Sequence, residues 1–217
     1  MQYDKWKWCN VTAHCFLHCF YLSAAAKVLV PVASGCEDIE IVSIVDTLRR
    51  AGAVVNVVLA SSRDLSASDP LVITAMNGMK MVAEMHIEDV HNDEFDMIVI
   101  PGGIPGAEHL SNCKILIKML RKQKERGGRY AAICASPKLV LEAHGLLDVS
   151  ETEKMQATSY PAPPFLMEND MRDRVVVSGN CTTSQGPGTA IEFALVLVEQ
   201  LYGTERAQAI KNDLVSR

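Results

Sequence analysis

KVLVPVASGCEDIEIVSIVDTLRRAGAVVNVVLA, residues Lys27 to Ala60, decides the architecture. Lys27 to Ser34 is an apolar run without alternation, the pattern of a strand buried on both faces. Gly35 breaks the run. Acidic residues open the next segment, Ile41, Val45 and Leu48 recur at helical spacing, Arg49 and Arg50 close it, and Gly52 ends it. Ala53 to Ala60 is a second apolar strand. Two buried strands joined by one helix make a parallel βαβ unit with a right-handed crossover.

The same grammar continues downstream. Ser61 to Asp69 reads as polar loop. LVITAM and MKMVAEM flank Asn77-Gly78, a strong short signal for an antiparallel hairpin. MIVIPGG, Met97 to Gly103, is a buried strand running into a glycine pair, and KILIKMLRKQKERGG is a helix that stops at Gly127-Gly128. ATSYPAPP is a proline-rich loop, RVVVSGN a strand, and Thr189 to Tyr202 a helix, with a last helix after Gly203. The expected fold class is α/β, a mostly parallel sheet with helices on both faces and a small β-hairpin. In such sheets, sites form beyond the carboxyl ends of the strands, which is where the Gly35-Cys36-Glu37 turn and Gly102-Gly103 fall.

Composition narrows the function classes. At 217 residues, 48% of them hydrophobic, the chain can build a real core. A net charge of −5 gives no electrostatic footprint for nucleic acid or an anionic membrane. No apolar run reaches the roughly 20 residues that a membrane-spanning helix needs. Seven cysteines, three crowded at the start and four scattered, do not form a disulfide framework and point to a reducing compartment.

Residues 1–26 differ from the single domain expected over 27–217. Lys5 and Lys7 precede the apolar-leaning VTAHCFLHCFYLSAAA, in the manner of a targeting peptide interrupted by His14 and His18. The expected location is cytoplasmic, or organellar if this segment acts as a targeting peptide. His14 with His18, and Cys15 with Cys19, stand one helical turn apart, a spacing that can hold a metal. A non-catalytic extension is the preferred reading, and no metal or cofactor is expected.

Tyr130 to Ile133 is a short buried strand, Pro137 suits a first helical turn, and Leu139, Val140 and Ala143 continue at helical spacing to Gly145. Cys134 therefore sits on a strand-to-helix turn between small residues, the setting of a nucleophile elbow without its GxSxG spelling. A helix N-terminus and hydrogen-bond donors can lower a thiol from about 8.5 to about 3.5–7.5. The expectation is a thiolate. Cys113 and Cys181 read as small buried hydrophobes.

VPVASGCEDIEIVSIVDTLRRAG, VIPGGIPGAEHL, AAICASP and SQGPGTAIEFALVLVE, in this order, resemble the DJ-1/ThiJ/PfpI superfamily, in its DJ-1 branch. The resemblance runs from about Lys27 to the C-terminus. It implies a flavodoxin-like three-layer sandwich, a homodimer and a reactive cysteine matching Cys134. It also implies that Glu40 is a protonated acid donating to the cysteine sulfur, a role an ionised carboxylate could not fill. Gly102, Gly103 and Ala135 match backbone donors of an oxyanion-type pocket, and Gly186-Pro187-Gly188 matches the pocket rim. Glu37 fits a solvated helix-start acid, and Thr189 an N-cap.

Departures from the family pattern are informative. Tyr160 stands where histidine often precedes the proline that is Pro161 here, so no cysteine–histidine dyad is expected. Ala135 excludes the histidine that follows the cysteine in the peptidase branch, and proteolysis is not expected. Gln185 replaces an arginine. His86, His91, His109 and His144 are expected on exposed loops or helices.

The resemblance implies cofactor-free glyoxalase III or protein deglycase chemistry in carbonyl-stress protection. Its partners would be small reactive aldehydes of the methylglyoxal type, or glycated thiols and amines. The alternative is a non-enzymatic redox-sensing chaperone with an oxidisable Cys134. A role in thiamine biosynthesis finds no phosphate-binding loop here.

Overall fold

In a computed structural model of the chain, residues 25–60, 71–150, 152–167 and 170–216 are described. The polar loop expected at Ser61 to Asp69 lies outside them, as does the expected extension apart from its last two residues. Among the described residues, no helix is long and apolar enough to cross a membrane.

The opening βαβ unit consists of β1 (Lys27–Val32), α1 (Asp38–Ala51) and β2 (Val54–Leu59). β1 pairs in parallel with β2, and Val28, Leu29, Val30 and Val32 are all buried. α1 is stopped by Gly52 at φ +100°, whose N–H donates to the carbonyls of Leu48 and Arg49, a left-handed cap that glycine adopts without strain.

β3 (Val72–Thr74) and β4 (Lys80–Val82) form the hairpin around Asn77-Gly78 as a separate two-stranded sheet. Its tip hangs over the start of α1. The Asn77 and Met79 amides donate to the Asp38 carboxylate at 2.8 and 3.3 Å, and the Met76 amide to the Cys36 carbonyl at 2.7 Å.

The chain continues through β5 (Met85–His86), α2 (Ile87–Val90), β6 (Met97–Ile100), α3 (Gly106–Asn112), α4 (Lys114–Glu125) and β7 (Arg129–Ile133). Further along come β8 (Val175–Ser178), β9 (Cys181–Ser184), α5 (Ala190–Tyr202) and α6 (Thr204–Asp213). The main sheet has seven strands in the order β5-β2-β1-β6-β7-β9-β8, parallel except for β8. α1, α5 and α6 pack together as one helical layer, while α2, α3 and α4 form another. This is the α/β sandwich expected from the apolar runs, in the flavodoxin-like form that the resemblance implies.

Two local readings change. The segment after Cys134 is not a regular α-helix: Pro137–Leu141 winds as a π-helical turn and Glu142–His144 as a 3₁₀ turn, ending at Gly145 in the left-handed region. Thr189 begins α5 without capping it through its side chain. Its hydroxyl instead accepts from the Gly186 amide at 3.1 Å and lies 2.6 Å from the Ser184 hydroxyl. The hydroxyl closes the 186–189 turn rather than the helix.

Candidate active site

β7 delivers Cys134 at the carboxyl edge of the sheet. Its φ is +66°, a left-handed conformation that costs a residue with a Cβ roughly 1–2 kcal/mol. The surroundings impose it. The Cys134 N–H donates to the Ser184 carbonyl at 2.9 Å, and its own carbonyl accepts from the Tyr160 amide at 2.8 Å. Ser136 Oγ donates to the Pro101 carbonyl at 2.6 Å and ties the turn to the end of β6. The strain thus resides at a turn whose two backbone groups are both fixed from distant parts of the chain.

α1 supplies the acid. Glu37 caps the helix, its Oε2 accepting the Glu40 amide at 2.8 Å, and this first turn aims Glu40 inward to complete burial. Glu40 Oε2 accepts the Gly102 amide at 2.7 Å. Its Oε1 is buried without a hydrogen-bond partner of ordinary geometry, and the carboxyl interacts with both the Glu37 charge and the Cys134 side chain. A buried carboxylate oxygen left bare is costly, whereas a proton on it can be shared with sulfur.

The glycines make this proximity feasible. A methyl group at Gly102 would lie 2.6 Å from Cys134 Cβ and 3.0 Å from Glu40 Oε2. One at Gly103 would lie 2.4 Å from the Glu37 nitrogen, and Gly103 also has φ +86°. Both of Gly102's backbone groups serve α1, because its carbonyl accepts the Glu37 amide at 3.0 Å. Of the three expected donors, the Gly102 amide is spent on Glu40, while the Gly103 and Ala135 amides pull the Cys134 thiol down.

Electrostatics differ from the sequence expectation as well. Burial pushes Glu40 up to about 7, aided by the Glu37 charge and opposed by the Gly102 amide and the Cys134 hydrogen bond. Burial and then the Glu40 charge push the Cys134 thiol up to about 12, against the pull of the Gly103 and Ala135 amides. Burial and the neighbouring acid thus oppose the two amide donors, a balance that the lowered thiol expected from a helix start did not include. Thiol and acid titrate as a pair: when Glu40 holds the proton, the charge that raises the thiol is gone.

The rim lies beside Gly186. Tyr160 is 41% exposed and meets Phe165 edge to face, with centroids 6.1 Å apart and an interplanar angle of 84°. Half-buried Pro187 opens the turn Pro187–Thr189 beside Gly186, and Gln185 donates through Nε2 to the Arg172 carbonyl at 2.9 Å. Phe165 escaped the sequence reading, although a large aromatic just after a proline-rich loop was the available signal.

Three other expectations need correction. Glu37 is 5% exposed rather than solvated, because the hairpin tip covers it. His86 is buried at the start of α2, and half-buried His144 lies 3.0 Å from the Ser111 hydroxyl; His91 and His109 are exposed. Cys181 is buried, whereas Cys113 is only partly so. No group of three or more potential metal ligands comes together among the described residues, and His14, Cys15, His18 and Cys19 lie outside them.

A parallel sheet between two helical layers, with a strained cysteine at one strand end facing a buried acid from the first helix, defines a cysteine-elbow protein of the flavodoxin-like class. The profile of the DJ-1/PfpI family matches residues 26–200, and the chain belongs to that family. It is 42% identical to protein DJ-1 homolog B of Arabidopsis thaliana over 182 residues, covering 83% of this chain but 39% of that protein. The chain thus spans well under two thirds of that relative. It is 35% identical to a glutathione-independent glyoxalase of Caenorhabditis elegans, across 88% of this chain and 95% of that one. The oxidized DJ-1 structure of Toxoplasma gondii superposes with a TM-score of 0.80 at 43% identity, covering 88% of this chain and 99% of that one.

Proposed function

We propose that the protein is a cofactor-free enzyme that converts 2-oxoaldehydes of the methylglyoxal type to 2-hydroxy acids, with Cys134 as nucleophile and Glu40 as proton shuttle. The observation that carries this reading is the fully buried Glu40 carboxyl, one oxygen of which has no ordinary hydrogen-bond partner, in side-chain interaction with Cys134 and placed to hold a proton near neutral pH. The thiolate adds to the aldehyde carbon, and the proton held by Glu40 goes to the oxygen, giving a hemithioacetal. Glu40 then takes the proton from that carbon and returns one to the adjacent carbonyl carbon through an enediol, leaving a thioester. Water cleaves the thioester and restores the thiol. Methylglyoxal plus water becomes lactate with no external oxidant or reductant. The Gly103 and Ala135 amides beside the sulfur are the donors available to the developing oxyanion.

Removal of glycation adducts from thiols and amines would use the same residues. The homodimer implied by the resemblance belongs to this reading too. Exposed Ile39 and Val42 on α1 and Met76 and Met79 at the hairpin tip support it, and sedimentation tests it. The decisive experiment is lactate formation from methylglyoxal without glutathione. Wild type is expected to turn over, and Cys134→Ser and Glu40→Gln to lose turnover. A folded wild type without turnover sinks the proposal. The donors around the sulfur also suit a sulfinate, and a redox sensor would then be indicated by peroxide adding two oxygens selectively at Cys134.

A further inference from the structure

The Tyr160 ring and the Cys134 sulfur both border the space beside Gly186. A methyl group on Gly186 would lie 3.4 Å from Tyr160 Cδ2, 3.8 Å from its Cε2 and 4.0 Å from Cys134 Sγ. One small volume therefore touches both the edge of an aromatic ring and the sulfur. The ring is held there twice. Its backbone N–H is bonded to the Cys134 carbonyl at 2.8 Å, and Phe165 meets it edge to face. The remainder of the ring is open, since Tyr160 is 41% exposed in a site where Cys134 itself is only 9% exposed.

The geometry points to a substituent pocket beside the sulfur, in which the group carried by a bound electrophile lies against Tyr160. The pocket favours flat aromatic substituents, so arylglyoxals are preferred over methylglyoxal. The substrate class rests on the reading of Cys134 as a nucleophile toward 2-oxoaldehydes; the pocket rests on the geometry alone. An aryl group on the carbonyl carbon next to the carbon that bonds Sγ reaches the open ring and covers apolar surface that a methyl group leaves wet. Aromatic rings gain further from edge or offset contact with each other.

Two arms separate the pocket from the reaction. In the first, phenacyl bromide and bromoacetone alkylate the full chain. Sulfur displaces bromide, the S–C bond forms, the C–Br bond breaks, and the thiol proton goes to solvent. The rate at the Cys134 peptide is followed by mass spectrometry, and each reagent is normalised to its rate with N-acetylcysteine. Wild type is expected to prefer phenacyl bromide about tenfold beyond the free thiol, the scale of an aromatic contact plus the area it covers. Tyr160→Phe keeps the preference, and Tyr160→Ala brings it down to that of the free thiol. Tyr160→Leu, which retains bulk without a flat ring, gives the same loss and covers a failure of the alanine variant to fold. A wild-type ratio equal to the free thiol's, or one unmoved by losing the ring, overturns the pocket.

In the second arm, kcat/KM is compared for phenylglyoxal going to mandelate and methylglyoxal going to lactate. The same tenfold preference, lost in Tyr160→Ala, is expected. Selective alkylation with no turnover of either aldehyde would retain the pocket and remove the proposed reaction. Turnover of both aldehydes at a ratio insensitive to Tyr160→Ala would retain the reaction and remove the pocket.

Discussion

Gly102→Ala tests whether close approach at the end of β6 builds the site. The added methyl would stand 2.6 Å from Cys134 Cβ, 2.8 Å from the Ile133 carbonyl oxygen and 3.0 Å from Glu40 Oε2. Carbon atoms settle about 3.5–4.0 Å apart, so the Cys134 contact alone asks for a shift of about 1 Å. Gly102 is not in the left-handed region, which leaves the clash as the sole backbone-independent cause. Relief is hard to find, because Ile100 and Ala132 are paired in register just upstream and Ser136 bonds the Pro101 carbonyl. Overpacking of this kind costs about 1–3 kcal/mol. A displacement of about 1 Å between reacting groups costs on the order of 100-fold in rate. Urea unfolding should show the first, and lactate formation from methylglyoxal the second. Gly188→Ala is the control, since a methyl there meets nothing within 4 Å. A Gly102→Ala protein with wild-type stability and wild-type turnover would refute the close-approach argument.

Glu40 should make the protein less stable as pH rises, the reverse of an ion-paired carboxylate. Its carboxyl goes from an ordinary 4.5 to about 7 in the fold, so the folded state binds the proton more tightly. The contribution is fully present below 4.5 and lost by about 7, and the difference amounts to about 3 kcal/mol. Urea unfolding at pH 5 and pH 8 should show this loss in wild type and not in Glu40→Gln; equal slopes would remove the buried-acid assignment. At Cys134, φ +66° should reverse the usual ranking of glycine and alanine. Cys134→Gly should be about 1 kcal/mol more stable than Cys134→Ala, although glycine ordinarily trails alanine by about 0.5–1 kcal/mol. An alanine variant of equal or greater stability would show that the elbow relaxes without strain.

The sheet was legible where burial and hydrophobicity coincide. β1, β2, β6 and β7 are apolar runs, and a strand covered on both faces has little choice but to be one. β9 was not legible, since its CTTS is polar in composition yet buried throughout. Its hydroxyls are consumed locally: Thr183 Oγ1 accepts the Thr158 amide at 2.9 Å, and Ser184 Oγ donates to the Arg174 carbonyl at 2.7 Å. A polar strand satisfied by its neighbours carries no hydrophobic signature. The same limit applies at the site. Motifs identified Cys134, Glu40 and the glycine pair, but the choice between Gly102 and Gly103 as sulfur donor depends on Glu40, 62 residues away from Gly102. The thiol expectation weighed a local helix start and omitted burial, which only the assembled layers determine.

The forces that strain the elbow also position it. Cys134 could relax only by releasing the Ser184 carbonyl on one side or the Tyr160 amide on the other. The first bond belongs to the β7–β9 edge of the sheet, and the second fixes the aromatic rim. Glu40 enters from a third direction, through the Gly102 amide and the cap that Glu37 gives to α1. The sulfur is thus located by three separate parts of the chain, two through backbone–backbone hydrogen bonds and the third through buried carboxylates that accept backbone amides. A perturbation of any one should therefore shift reactivity at Cys134 before it unfolds the sheet, because the strand pairing that buries the core continues beneath the elbow.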